Sequence, residues 1–515
     1  MKSVRVAALD LGSNSLSLLV ADVSEAADIR SVAREKVVLG LGAIVAREGT
    51  IPPASVHDVI EAANRFRAIV DAEDVEIVSV CATSAFRDAK NGTSVANRVG
   101  KIMGSPVRVI SGAEEAALVF RAVQASVLLD PSPAAGLDLG GGSLELTLGD
   151  HRGLRWSESL ALGAGRLTAE LVRNDPLSRG DRRRLTDRIQ ETLAPAIAEL
   201  KARQPQQLVG SGGTLRDLAR ALVSRSGGLV VASTQVSVGI DALAQFADEL
   251  ADLDAAARVT IGGIDPRRAD QIPAGAMVVV LTAEALGFSQ LTVSAWGLRE
   301  GMVLEAARCP APDEPRLTRR ASVVDLAQRC NWDEAHARHV ADLATQLFDQ
   351  TKAAHELDAV DRELLEYGAL LHDVGRHIAA EDHHKHAAYL IEHGGLRAFT
   401  GEELAVIMCL GRFHRSGEPK TSFPPFGQLE NKAKARVRTL IAMLQVADGL
   451  DRSHSAMVKV IDVSVTSRLV TMRLAAGAEA EVERWSAAER SELLASVFER
   501  PVKVTLAHVA TPATA

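Results

Sequence analysis

The feature that most limits what this chain can fold into is a segment that occurs twice, at residues 8–20 (ALDLGSNSLSLLV) and 136–148 (GLDLGGGSLELTL). Aligned without gaps, the copies agree at Leu9 and Leu137, Asp10 and Asp138, Leu11 and Leu139, Gly12 and Gly140, Ser15 and Ser143, Leu16 and Leu144, and Leu18 and Leu146. Chance supplies roughly one such match over this length, so the pair reads as an internal duplication. In each copy an apolar run rich in strand formers ends on Asp, passes through a Gly/Ser turn and continues as a second alternating run. That is a hairpin pattern.

A carboxylate at the buried end of a strand is costly unless a cation offsets it, and a Mg²⁺ ion on phosphate oxygens does so. Gly12, Ser13, Asn14 and Ser15 in one turn, and Gly140, Gly141, Gly142 and Ser143 in the other, can direct N–H groups and hydroxyls at an anion. Neither turn leads into a helix, as a Walker loop or a dinucleotide fingerprint requires, and no GxxxxGK[ST] occurs. One copy alone would read as an ordinary strand turn. Two related copies point to a phosphate site split between them.

The paired loops resemble the phosphate motifs of the actin, Hsp70 and sugar-kinase superfamily. With CATSAFRDAKN at 81–91, VISGAEEAAL at 109–118, VGSGGTLRDLA at 209–219 and WGLREGMVLE at 296–305, they resemble the exopolyphosphatase and guanosine pentaphosphate phosphohydrolase family. The resemblance implies two duplicated actin-like (ribonuclease H-like) α/β lobes closing over phosphate. It implies Mg²⁺-dependent release of terminal orthophosphate from inorganic polyphosphate, with guanosine pentaphosphate (pppGpp) as the alternative substrate, and a homodimer. A non-catalytic sensor of either ligand is a further alternative. A sugar or acetate kinase is another, against which SGAEEA and GLREG argue.

Hydrolysis of a terminal phosphoanhydride needs charge neutralisation and a residue that orients the water. Glu115 matches the family's catalytic base, and Arg87 its arginine near the phosphates. An EE pair opening a helix is equally explained by the helix dipole, and Arg87 by an ordinary surface position. Asp10, Asp138 and Glu145 are the expected Mg²⁺ ligands, directly or through water. Gly212, Gly213 and Thr214 resemble the family's counterpart of the superfamily's adenosine motif.

The lobes are expected at 1–125 and 126–305, followed by a linker at 306–320 that is rich in proline. Helical periodicity over 321–455 predicts an all-α domain, and alternating runs from 456 to 515, with one helix (WSAAERSELLASVFER) between them, predict a small α+β domain. Ten of the 14 histidines lie between His336 and His414. The order His336, His372–Asp373, Asp448 resembles the HD metal-dependent phosphohydrolase superfamily, which implies a second divalent metal on those four residues, with His339 as an alternative to His336. His383 and His414 match positions where that superfamily places additional ligands or phosphate contacts. The region reads as a catalytic metal site, a structural one, or a metal-free scaffold.

With a net charge of −8, a polyanion must be met by a local basic surface. Arg412, His414, Arg415 and Lys420 form one candidate path, Arg179, Arg182, Arg183 and Arg184 a second, and Lys432, Lys434, Arg436 and Arg438 a third. Each is also readable as a solvated face. With 3% aromatic residues there is little material to stack bases, so nucleic acid is not an expected partner. The apolar run at 272–288 is broken by Glu284 and reads as a buried helix, not a membrane span. Cys81, Cys309, Cys330 and Cys409 form no metal or disulfide pattern, and MKSVRVAALDLG leaves no room for a signal segment, so a cytoplasmic location is expected.

Overall fold

The computed structural model describes residues 3–24, 27–226, 233–310, 315–475 and 480–507. Linker residues 311–314, and residues 508 and 509 at the end of the last predicted strand, lie outside the described residues. The chain divides into two compact units, the first running to residue 319 and the second comprising 320–515 with the short segment 231–233.

In the first unit the duplicated segments fold as duplicated hairpins. Strand β1 (Ser3–Leu11) pairs antiparallel with β2 (Ser15–Ser24), which pairs with β3 (Ile29–Val38). β4 (Ile77–Ala82) and β5 (Val107–Val109) extend the sheet in parallel, giving the order β3-β2-β1-β4-β5. The second sheet repeats this with β6 (Ala134–Leu139), β7 (Leu144–Asp150), β8 (Gly153–Leu160), β9 (Gln207–Ser211), β10 (Gln235–Gly239) and β11 (Gln290–Ser294), ordered β8-β7-β6-β9-β11-β10. β9 and β11 occupy the places of β4 and β5, and β10 is an added antiparallel edge. The match extends to single bonds. Gly12 N–H donates to Ser15 O at 3.1 Å, and Gly140 N–H to Ser143 O at 3.1 Å.

Alternation along β1 sends Ala7, Leu9 and Leu11 to one core, with Phe66 and Met103 from the covering helices, and Val6 and Ala8 to another. That other core also holds Met302, Val303 and Leu304 from the helix Leu298–Ala306. This helix lies in the stretch assigned by sequence to the second lobe, yet it packs on the first sheet. The helix Gly112–Ser126 is shared: Leu118 enters the core of the first sheet, while Phe120 and Val123 pack with Val209 of the second. Residues Ile272–Leu286 form the expected buried helix, and among the described residues no helix is long and apolar enough to cross a membrane. All four cysteines are buried, and among the described residues none is in a disulfide.

The second unit contains the helices Glu334–Gln350, Ala359–Leu371, His383–His393, Gly401–Phe413 and Asn431–Gly449. Strands β12 (Val460–Val465), β13 (Val470–Ala475) and β14 (Val502–Ala507) form a small sheet, antiparallel then parallel. The one helix expected before β14 is two, Glu481–Glu489 and Glu492–Phe498. Its helical pattern is interrupted at Arg490–Ser491, where the Ser491 hydroxyl bonds back to Ala488 O at 2.7 Å.

Candidate active site

Both hairpin turns open onto one cavity of about 180 Å³ between the two sheets of the first unit. Its walls include Asp10, Gly12, Ser13, Asn14 and Ser15 from the first copy, Asp138, Gly140, Gly141, Gly142 and Ser143 from the second, Gly212, Gly213 and Thr214 after β9, and Glu115. The turns nearly touch. A Cβ on Gly141 would stand 3.2 Å from Asn14 Cβ, and one on Gly142 would meet Ser84 Oγ at 2.2 Å and Ser13 Oγ at 2.8 Å. At Gly212 φ is +102°, and a Cβ would strike Leu139 O at 2.5 Å, so this turn requires glycine on both counts.

Hydrogen bonds fix the cradle. Ser13 Oγ lies 2.6 Å from Ser84 Oγ and accepts from Ala85 N–H at 3.1 Å, while Gly42 N–H donates to Ser13 O at 2.7 Å. Around the second turn, Arg166 donates from Nε to Gly142 O at 2.9 Å and pairs with Asp88 across the cleft at 2.5 Å.

Glu114 and Glu115 divide the two explanations offered for an acidic pair at a helix start. Ser111 and Glu114 form a capping box, with Glu114 Oε2 accepting from Ser111 N–H at 2.8 Å and Ser111 Oγ accepting from Glu114 N–H at 3.2 Å. Glu115 turns inward and is buried, its Oε2 without a hydrogen bond and 3.7 Å from Arg87 Nη1. Arg87 also donates to Ile110 O at 2.7 Å, so it stands behind Glu115 and does not line the cavity. Glu145 is opposite Asp138 in the β6–β7 ladder and accepts from Ser159 Oγ at 2.8 Å, while Ser211 Oγ donates to Asp138 Oδ1 at 2.5 Å. In the first copy the corresponding partner of Asp10 is Ser17.

These four carboxylates are too desolvated to ionise together. Burial lifts Asp10 to about 7 and Glu145 to about 7 and raises Asp138; Glu115 is raised well above the usual range by burial and by the charges of Glu145, Asp138 and Asp10. Asp10 Oδ1, Glu115 Oε2 and Glu145 Oε2 are buried without hydrogen-bond partners. An all-oxygen donor set with unpaired buried oxygens fits a hard divalent cation.

Sequence reasoning missed the cationic wall. Lys36, Arg216, Arg268 and Arg299 line the cavity, as does Glu300. Arg268 lies 3.0 Å from Asp265 and 3.5 Å from Asp217, and Lys36 reaches Asp265 at 3.8 Å across the cleft. Arg216 carried a signal through the VGSGGTLRDLA segment, and Arg299 and Glu300 through GLREG, whereas Lys36 and Arg268 carried none.

The expected basic paths come out differently. His414 is 1% exposed, its Nδ1 on Gly411 O at 2.9 Å, so it cannot serve as a solvent-facing phosphate contact. Arg412 lies over the Phe413 ring, and Arg415 and Lys420 are exposed. Elsewhere Arg182 pairs with Asp252, Arg184 with Asp181, Arg436 with Asp361 and Glu402, and Arg438 with Glu418.

In the second unit His336, His372 and Asp448 come together, as do Asp373, His383 and His414. His339 belongs to neither set. Burial pushes His372 down to about 4, while Asp373, despite burial, is held well below the usual carboxylate range by His372, His383 and His414. Asp451, which sequence reasoning passed over, lies 2.8 Å from His336 Nδ1.

The Ppx/GppA phosphatase family pattern matches residues 19–308, and that of Ppx/GppA phosphatase domain III matches 318–493. Exopolyphosphatase 1 of Mycobacterium tuberculosis (strain ATCC 25618 / H37Rv) is 32% identical over 304 residues, spanning 58% of this chain and 88% of the relative. Exopolyphosphatase 1 of Mycobacterium leprae (strain TN) is 31% identical over 302 residues, spanning 58% and 89%. Among solved structures, an exopolyphosphatase from Cytophaga hutchinsonii superposes with TM-score 0.56 at 26% identity, over 60% of this chain and all of that one. The Aquifex aeolicus Ppx/GppA family member gives 0.52 at 26%, over 59% and 97%.

Proposed function

We propose, from the premise that this chain belongs to the Ppx/GppA phosphatase family, that it is an exopolyphosphatase releasing terminal orthophosphate from inorganic polyphosphate in the cleft of the first unit. The observation that carries this reading is the convergence of buried, incompletely partnered carboxylates on a cradle built from two copies of one turn. The terminal phosphoryl group sits between Gly12–Ser15 and Gly140–Ser143, whose N–H groups and hydroxyls take its oxygens. Asp10, Asp138 and Glu145 would hold Mg²⁺, which when bound would supply charge neutralisation to the phosphoryl group.

Glu115 orients the attacking water and takes its proton as the water oxygen bonds to phosphorus and the anhydride P–O bond breaks. Burial raises its affinity for protons, as a proton acceptor requires. Arg87 holds the Glu115 carboxylate in place. The remaining chain phosphates lie along Lys36, Arg216, Arg268 and Arg299. No aromatic side chain lines the described cavity, which favours a chain of phosphates over guanosine pentaphosphate.

The same reading includes a homodimer, a cytoplasmic location, and a divalent ion in the second unit on His336, His372, Asp373 and Asp448. The test is phosphate release with Mg²⁺ from long-chain polyphosphate and from guanosine pentaphosphate in parallel, for wild type and Glu115→Gln. Polyphosphate turnover that disappears in the variant supports the reading. A preference for the nucleotide, or full activity in the variant, overturns it.

A further inference from the structure

The strand registers of the two sheets set equivalent residues in two rows. Across the second sheet Ser211, Asp138, Glu145 and Ser159 stand opposite one another on β9, β6, β7 and β8. Across the first sheet the same places on β4, β1, β2 and β3 hold Cys81, Asp10, Ser17 and Lys36. Residues paired in register share a face of their sheet, so each row is one line of neighbouring side chains. The second row has a carboxylate on each inner strand and a serine at each end. The first has a single carboxylate, and lysine takes the place of Ser159.

Each serine of the second row bonds the carboxylate beside it. Ser211 Oγ donates to Asp138 Oδ1 at 2.5 Å, and Ser159 Oγ donates to Glu145 Oε1 at 2.8 Å. Glu145 is 1% exposed, and its Oε2 is buried without a hydrogen-bond partner. Ser143 reaches the same carboxyl group but has a counterpart, Ser15, in the first copy, whereas Ser159 and Ser211 belong to the second alone. Ser159 is exposed on an edge strand, where water could satisfy its hydroxyl, yet the hydroxyl faces the buried acid. Gly112, the first residue of the helix that carries Glu115, makes room for it. A Cβ on Gly112 would meet Ser159 Cβ at 2.3 Å and Oγ at 2.6 Å.

A carboxylate with one oxygen engaged in this way offers a cation the other oxygen alone. That bears on which cation it takes. Mg²⁺ demands near-octahedral geometry at about 2.0–2.1 Å, keeps several waters and takes one or two carboxylates. Ca²⁺ takes about six to eight oxygens at about 2.3–2.6 Å in a flexible shell, and carboxylates that bind through both oxygens help to fill it. The row neighbours of Asp10 make their contacts elsewhere: Cys81 accepts from Arg108 at 3.7 Å, and Ser17 Oγ lies 3.4 Å from Ser15 Oγ. The bracing of carboxylates by serine is thus a property of the second copy.

We propose that Ser159 and Ser211 make the cleft selective for Mg²⁺ over Ca²⁺ by keeping one oxygen of Glu145 and one of Asp138 out of the coordination shell. This rests on the reading above, in which those carboxylates would hold the ion, and adds what sets the ion's identity. Both serines are positioning residues that act through the carboxylates. Without the hydroxyls, Glu145 Oε1 and Asp138 Oδ1 are free to bind beside their partner oxygens, and the larger ion gains up to two donors that a small octahedral ion cannot use. The contact with Gly112 holds Ser159 in this role.

The test uses the full chain, stripped with chelator and loaded with Mn²⁺, with free Mn²⁺ followed by electron paramagnetic resonance. The cleft ion is the one that wild type retains and Asp138→Asn does not. Displacing it with Mg²⁺ and with Ca²⁺ in separate titrations gives a selectivity ratio, which a merely structural role would not move. Ser159→Ala and Ser211→Ala should each shift that ratio about tenfold or more toward Ca²⁺. Gly112→Ala, which drives Ser159 aside, should shift it too, but should add nothing in a Ser159→Gly background, where the colliding Cβ is gone. A further shift there overturns the route through Ser159. Equal weakening of both ions, or no change in either, overturns the proposal and leaves the cleft ion standing. A wild type that retains no more Mn²⁺ than Asp138→Asn overturns the reading beneath it. Ser159 is exposed, so its variants decide the matter even if Ser211→Ala, at a position 1% exposed, fails to fold.

Discussion

Glu114 turns back to Ser111 while Glu115 turns into the cleft, so on the proposed reading two adjacent acids separate stability from chemistry. Glu114→Ala removes the reciprocal cap and should cost about 1 kcal/mol in urea unfolding, with turnover within a few fold of wild type. Glu115→Gln removes a buried, poorly partnered charge. It should lower kcat by about 10²- to 10⁴-fold while leaving the unfolding midpoint equal or higher, and a loss of both together would mean Glu115 is structural. Asp181 belongs to stability alone. Although burial opposes its charge, hydrogen bonds from Ser178, Asn174 and the Arg173 N–H hold it well below the usual carboxylate range. A group depressed in the folded state stabilises above its unfolded pKa, about 3.9, and loses that contribution as pH falls. The urea midpoint of wild type should therefore drop more steeply than that of Asp181→Asn between about pH 5 and pH 2. Parallel slopes would rule this out.

At the scale of elements, the hairpins and their turns were legible because a repeat and a two-residue alternation are local patterns. An acidic helix start by itself reads as a cap, and Glu115 was singled out only by the family resemblance. Lys36 and Arg268 of the cationic wall were not legible. Lys36 lies on an edge strand and Arg268 at the end of a single 3₁₀ turn, and neither segment signals that folding brings it to the same cavity. The helix Leu298–Ala306 was likewise assigned to the nearer lobe, since nothing in its own pattern states which sheet its apolar face will cover. Met302, fully buried against the first sheet, should cost about 2–5 kcal/mol when changed to Ala. Where the turns meet, Gly142→Ala places a methyl 2.2 Å from Ser84 Oγ and should reduce kcat/KM by about 10²-fold through a shift of the cradle, with thermal unfolding little changed. Gly163→Ala meets the backbone of Gly142 and Ser143 at 2.3–2.4 Å, so it should lower Tm as well.

For the whole molecule, a net charge of −8 means that polyphosphate is attracted by a local feature against an opposing overall field. If four cavity cations meet the chain, the logarithm of the association constant should fall against the logarithm of salt concentration with a slope of about −3, and Arg299→Gln should make it shallower by about 0.7. The path of the backbone also sets an order of events during synthesis. The first sheet is begun by residue 3, but its second core lacks Met302, Val303 and Leu304 until they leave the ribosome. At about 5–20 residues per second Val6, Ala8 and Leu19 wait on the order of 15–60 s with only the partial cover that Leu118 and Ala125 bring, an interval in which a chaperone has something to hold.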